Sequence, residues 1–121
     1  SCDVADYSTY VKSNQARLKV GLDATDRSRA AWEVARALAR RLQGELGATR
    51  ILLFGSLARG RFGPNSDIDI AFEGVSPKRW YRALRIADAV GEFDVSLFPL
   101  DAARGHRRRQ IESDAIVLWP E

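Results

Sequence analysis

Two carboxylates, one residue apart, interrupt an apolar stretch in the sequence SDIDIAF, residues 66–72. If this stretch is a β-strand, Asp67 and Asp69 point to the same face, because side chains two positions apart share a face. Two like charges beside a core repel each other and lose hydration unless a cation lies between them. Mg²⁺ binds carboxylate oxygens together with substrate phosphates, so the pair predicts a metal site. The alternative for so short a motif is a solvated strand end.

The preceding apolar run ends in the sequence LFGS, residues 53–56, which is suited to phosphate binding. Gly55 allows a ligand to approach the backbone, and Ser56 supplies a hydroxyl and a backbone N–H at a helix start, where anions are favoured. Arg59 follows, and we expect it either to contact phosphate or to brace the loop. Alone, a Gly-Ser pair indicates a tight turn. Beside a metal-binding pair, it indicates a site for a metal-bound phosphate compound.

A third carboxylate, Asp94, lies between Phe93 and Val95 in a further apolar run. If that run pairs with the strand of Asp69, Asp94 joins the same cluster. Three acids around one or two metal ions suit in-line displacement at phosphorus: the metals stabilise the attacking and leaving oxygens, and a carboxylate takes the proton of the attacking hydroxyl. Asp94 is therefore a candidate metal ligand and a candidate general base.

Alternating helices and short strands position these residues. Helical periodicity is clear over residues 27–46, and Ser76 with Pro77 opens a second helical segment that ends near residue 91. A short helix is expected within residues 100–113. The predicted strands are residues 50–55, 67–74, 93–99 and 115–119. The pattern predicts an α/β fold with one sheet layer covered by helices.

Composition indicates an ordinary globular domain. The chain has 121 residues, 45% hydrophobic and 29% charged, with a net charge of +3. It contains no apolar run of membrane-spanning length and no signal-peptide pattern, and its one cysteine, Cys2, favours the cytoplasm. We expect residues 1–25 to form an N-terminal extension with a helix over residues 5–20, and residues 26–121 to form the domain.

A basic run, RGHRRRQ, occupies residues 104–110. It is expected to be a solvated helix face anchored by Ile111, in preference to a surface for RNA or an acidic partner.

The stretch FGSLARGRFGPNSDIDIAF resembles the signature of the DNA polymerase beta-type nucleotidyltransferase superfamily: Gly-Ser, ten residues, then Asp-x-Asp. It is most similar to the minimal nucleotidyltransferase (MNT) branch, whose members are often paired with HEPN-domain proteins as toxin–antitoxin systems. The resemblance covers roughly residues 30–119. It implies a mixed sheet flanked by helices, Gly55 and Ser56 as triphosphate contacts, and Asp67 and Asp69 as metal ligands. Asp94 matches the third acid.

The resemblance implies a Mg²⁺-dependent nucleotidyltransferase, with two ions, that moves AMP from ATP to a hydroxyl. For the paired systems it implies a tyrosine of a HEPN-domain toxin as the acceptor, and hence a protein adenylyltransferase with antitoxin activity. Two alternatives stay open: transfer to a small molecule such as an aminoglycoside, and a non-catalytic module that binds a partner or RNA. The intact acids disfavour the second alternative.

Overall fold

The computed structural model describes residues 24–121, so the helix expected over residues 5–20 lies outside the described part. The helices are α1 (Ala24–Leu46), α2 (Gly55–Ala58), α3 (Trp80–Ala89) and α4 (Gly105–Asp114). The strands are β1 (Arg50–Phe54), β2 (Ile68–Glu73), β3 (Val95–Pro99) and β4 (Ile116–Trp119). Two 3₁₀ turns, Pro77–Arg79 and Leu100–Ala102, precede α3 and follow β3.

The four strands form one mixed sheet in the order β3-β2-β1-β4. Strand β1 is antiparallel to both β2 and β4, whereas β2 and β3 run parallel. The predicted α/β fold, a small mixed sheet flanked by helices, is confirmed. Strand β2, which carries the Asp-x-Asp motif, lies in the interior of the sheet, so hydrogen bonds on both edges hold its backbone in place.

The two faces of the sheet are covered differently. Helices α1 and α3 bury the larger face, and their apolar side chains pack against alternate residues of β1 and β2. On β2 these residues are Ile68, Ile70 and Phe72, each at most 2% exposed. The opposite face carries a smaller cluster formed by Leu52, Ala71, Leu100 and Ile111, to which α4 contributes Ile111. Asp69 shares this second face with Ala71 because side chains alternate along the strand.

Three local features differ from the sequence-based expectation. Helix α1 begins at Ala24, three residues before the predicted start at Arg27. Pro77 opens a 3₁₀ turn, and the α-helix itself begins only at Trp80, whose indole Nε1 donates to the Val75 carbonyl at 2.9 Å. Tighter turns of this kind are frequent at helix starts. Asp94 precedes β3 and is exposed, where it was expected inside the strand.

A buried arginine holds the loops that lead into the Asp-bearing region. Arg27 is 8% exposed, and its Nη2 donates to the Pro64 carbonyl at 3.0 Å. Its guanidinium carbon also lies 5.8 Å from the Phe93 ring centroid. Burial lowers the pKa of Arg27 because the charged form loses hydration. Arg27 thereby links α1 to the segment before β2 and to the segment before β3.

None of the helices found within residues 24–121 is both long enough and apolar enough to cross a membrane.

Candidate active site

The turn from β1 into α2 lies directly against Asp69. In the antiparallel β1–β2 register Phe54 is the partner of Asp69, so Gly55 follows at the level of the Asp69 side chain. Gly55 is buried and has φ of 78°, a conformation that side chains disfavour. A Cβ atom built at Gly55 would overlap the Asp69 carboxylate. Glycine therefore allows the chain to turn here while Ser56 starts α2 beside the acidic residues.

Asp67 lies directly before β2, and Asp69 lies inside it. Asp69 is half-buried on the face that α4 partly covers, and Asp67 is exposed at the strand end. The Ser96 hydroxyl on β3 donates to Asp67 Oδ2 at 3.4 Å. Loss of hydration raises the pKa of both carboxylates, Asp94 raises the pKa of Asp67 further, and Asp67 does the same to Asp69. The acids thus repel each other in the absence of a cation.

Asp94 lies beside Asp67 rather than between the two other acids. Its carbonyl accepts a hydrogen bond from the Ile68 backbone N–H at 2.9 Å, extending the parallel β2–β3 pairing by one step. The Asp94 carboxylate raises the pKa of Asp67. The carboxylate that raises the pKa of Asp69 is that of Asp67. Within the described residues, no group of three His, Cys, Asp or Glu side chains is arranged to hold a metal ion together. Asp94 as a third ligand stays a prediction.

The pair formed by Asp67 and Asp69 fits a hard divalent cation. Both offer carboxylate oxygens, the ligands that Mg²⁺ prefers, and each has its pKa raised by hydration loss and by a neighbouring carboxylate. No ion pair with Arg, Lys or His involves either acid in the part of the chain that the structure describes. A bound cation would remove their repulsion and satisfy both.

Arg59 lies at the end of α2, and its Nη1 is 3.5 Å from Asp114 Oδ2 of α4. Both side chains are about half exposed. The Arg59 charge also lowers the pKa of Asp69, so it lies near the acidic pair. The ion pair with Asp114 is a bracing contact, one of the two roles expected for Arg59, and contact with phosphate stays a prediction.

Arg107 and Phe98 were not predicted as site residues, and Phe98 packs on the sheet face that carries Asp69. The Arg107 guanidinium carbon lies 4.7 Å from the Phe98 ring centroid, and the charge lowers the pKa of Asp69. Phe98 also packs edge to face against Phe54, with ring centroids 5.4 Å apart. The basic run was the only signal in the sequence for Arg107. Arg107 and Arg109 are both exposed, and the contact with Phe98 distinguishes Arg107.

Comparisons with known proteins agree with the fold. A family model described as "Nucleotidyltransferase domain" matches residues 33–118. A crystal structure of a toxin–antitoxin with AMP-PNP is similar, with 29% identity and a TM-score of 0.59 over 71% of this chain and 73% of that chain. So is the toxin-antitoxin MntA-HpeT, in a mutant with two aspartates replaced by glutamate, with 26% identity and a TM-score of 0.58 over 72% and 73% of the two chains.

A protein from Sulfolobus solfataricus, provisionally described as a nucleotidyltransferase, shares the fold, with 21% identity and a TM-score of 0.56 over 83% of this chain and 91% of that chain. A search of curated protein sequences finds no significant match.

We expect Asp69→Asn to stabilise the metal-free protein at neutral pH. The folded-state pKa values of Asp67 and Asp69 lie above the ordinary 3.8, so stability is fully present below that pH and is lost as the pH rises through the folded-state values. The gain is expected to stay below about 1 kcal/mol because water still screens the pair. Urea unfolding in EDTA, from below the ordinary carboxyl pKa of 3.8 up to neutral pH, measures it.

Asp88→Asn, which neutralises an exposed acid on α3, is the control and should show no such pH-dependent gain. If Asp69→Asn instead destabilises the protein at neutral pH, the pair stabilises the fold without a cation, and the repulsion account is wrong.

We expect Gly55→Ala to cost more stability than Gly60→Ala. Both glycines have positive φ, 78° and 75°, so alanine pays about 1–2 kcal/mol of backbone strain at each. Only at Gly55 would the new methyl group also collide with Asp69, whereas nothing lies within 4 Å at Gly60. Such overpacking adds about 1–3 kcal/mol. Urea unfolding of both variants gives the difference, and equal losses would contradict the close approach of Gly55 and Asp69.

Proposed function

Because the chain belongs to the nucleotidyltransferase domain family, and its likeness to toxin–antitoxin structures supports the MNT antitoxin branch, we propose that it transfers AMP from ATP to a hydroxyl group with Mg²⁺ as cofactor. The chain is a nucleotidyltransferase. The nucleotide, the metal and the acceptor are our proposal. One observation carries it: Asp69, one of two mutually repelling carboxylates, lies directly against the glycine turn that opens α2.

The nucleotide is proposed to bind with its phosphates at the β1–α2 turn. Gly55 leaves the backbone open to the phosphates, and Ser56 supplies its N–H and hydroxyl there. Arg59, at the end of the same short helix, would exchange its exposed ion pair with Asp114 for a phosphate oxygen. Such an exchange is inexpensive because exposed ion pairs contribute little stability.

Asp67 and Asp69 are the residues proposed to hold Mg²⁺, with Asp94 as a further ligand when two ions bind. Bound Mg²⁺ supplies charge neutralisation at the phosphates and orients them for displacement. Two features orient the carboxylates. Asp69 is fixed inside β2, and Asp67 accepts a hydrogen bond from Ser96 of β3. The raised pKa values mean that the metal-free site binds protons in competition with the cation.

In the proposed reaction, the acceptor oxygen bonds to the α-phosphorus as the bond from that phosphorus to the pyrophosphate oxygen breaks. The acceptor proton passes to a carboxylate, and we assign this task to Asp94. Asp94 is exposed beside Asp67, so a hydroxyl arriving from solvent or from a partner surface can reach it. A positioned base contributes about 10²–10⁴ to the rate of such a transfer.

The acceptor is proposed to be a tyrosine of a HEPN-domain toxin in the cytoplasm, and its modification would silence the toxin. Support comes from the toxin–antitoxin structures that resemble the chain, one of which contains AMP-PNP. Further support comes from the exposure of Asp67 and Asp94, because a protein acceptor needs an open site. A small-molecule acceptor would use the same residues.

We expect Asp67→Asn to abolish AMP transfer and leave the fold intact, because the substitution removes a metal ligand and relieves repulsion. The protein is incubated with labelled ATP, Mg²⁺ and the HEPN-domain toxin proposed as its partner, and intact mass is measured. The unmutated protein and Asp88→Asn should add AMP to the toxin. A folded Asp67→Asn variant with parental transfer would contradict the site, and AMP on aminoglycoside but not on toxin would contradict the acceptor.

We expect Asp94→Asn to keep Mg²⁺–ATP affinity within a few-fold, about the change that loss of one exposed charge produces. The single-turnover transfer rate should fall by about 10²–10⁴, the usual contribution of a general base. Equilibrium binding and single-turnover kinetics on the same preparation separate the two effects. A near-parental rate would show that Asp94 is not the general base. Loss of ATP binding would show that Asp94 acts mainly as a metal ligand.

A further inference from the structure

We propose that Arg107 of α4 contacts the triphosphate of the bound nucleotide, as a phosphate-binding residue from outside the Gly-Ser and Asp-x-Asp motifs. This inference rests on the proposed function and adds a fourth structural element to the site. It concerns one side chain that differs in its contacts from every other arginine of the basic run.

Helix α4 lies over the same sheet face that carries the half-buried Asp69. Ile111 anchors the helix there by packing in one cluster with Leu52 of β1 and Ala71 of β2. Ala71 is two residues beyond Asp69 on β2, so the two side chains share that face. Arg107 lies one helical turn before Ile111 and therefore projects from the same side of α4.

Aromatic packing holds the Arg107 side chain close to the phosphate-binding turn. Its guanidinium carbon lies 4.7 Å from the centroid of the Phe98 ring. Phe98 packs edge to face on Phe54, with 5.4 Å between ring centroids. Phe54 is the residue directly before Gly55 and is paired with Asp69 across the sheet. Arg107 is thus connected by two aromatic contacts to the exact point at which the phosphates are proposed to bind.

The Arg107 charge is available, unlike those of Arg108 and Arg59. Arg108 is committed to Glu73, at 2.8 Å, and Arg59 is paired with Asp114. Arg107 forms no ion pair with an acid within residues 24–121. A guanidinium stacked on an aromatic ring keeps its N–H groups free at the edge, where they suit the paired oxygens of a phosphate.

The charge balance of the loaded site favours this contact. Once a divalent cation neutralises Asp67 and Asp69, the remaining excess charge is that of the triphosphate, which is also the nearest anion proposed for this face. Arg107 and Arg59 approach it from α4 and from α2.

The test compares Mg²⁺–ATP affinity, measured by calorimetry, for Arg107→Met, Arg107→Lys and Arg109→Met. Methionine keeps packing on Phe98 and removes the charge, whereas lysine keeps the charge and loses the planar group. Arg109 is exposed on the opposite side of α4. Arg109→Met is therefore the control for Arg107→Met, because it makes the same substitution with the same change in net charge. Melting temperatures without nucleotide report on the fold of each variant.

We expect Arg107→Met to weaken Mg²⁺–ATP binding by about 10-fold or more, the usual effect of losing a charge-assisted hydrogen bond. Arg107→Lys should fall between Arg107→Met and the unmutated protein, and Arg109→Met should stay within about two-fold, as expected for an exposed charge. Parental affinity in Arg107→Met, or equal losses in Arg107→Met and Arg109→Met, would overturn the inference and leave the proposed function standing. An unmutated protein that fails to bind Mg²⁺–ATP would overturn both.

Discussion

The site depends on one steric constraint: the close approach of Asp69 to the backbone of Gly55. The antiparallel pairing of β1 with β2 sets Phe54 opposite Asp69, so the next residue of β1 has no room for a side chain. Glycine at that position, with its positive φ, lets the chain turn sharply and begin α2. The same pairing therefore places the start of α2, where we propose that phosphate binds, next to the Asp69 carboxylate.

The charged side chains around that contact form an acidic group and a basic group. Asp67 and Asp69 raise the energy of the metal-free site through mutual repulsion and partial loss of water. Arg59 and Arg107 lie around them and lower the pKa of Asp69 without neutralising it through an ion pair. A metal ion complements the acids, and a polyphosphate complements the arginines. Either ligand alone leaves like charges facing each other.

Much of the fold and the centre of the site followed from the sequence, because the relevant patterns are local. Their spacing of two residues predicted that Asp67 and Asp69 share one face of a strand, and the Gly-Ser pair predicted the turn. The sequence did not reveal that Asp94 lies outside β3, since strand ends depend on pairing with β2. Nor did it separate Arg107 from Arg109, because only tertiary packing sets one of them against Phe98. Contacts between distant segments were beyond any local pattern.

The acids and the glycine turn are proposed to form one site for a metal-bound polyphosphate. The most direct measurement is the melting temperature of the unmutated protein with Mg²⁺ alone, with ATP alone in EDTA, and with both. A ligand that binds only the folded state raises the melting temperature, and the rise grows with the logarithm of ligand concentration over Kd. The account predicts a clear rise only with Mg²⁺ and ATP together. An equal rise with ATP in EDTA would contradict it, because the nucleotide would then bind without the cation that Asp67 and Asp69 require.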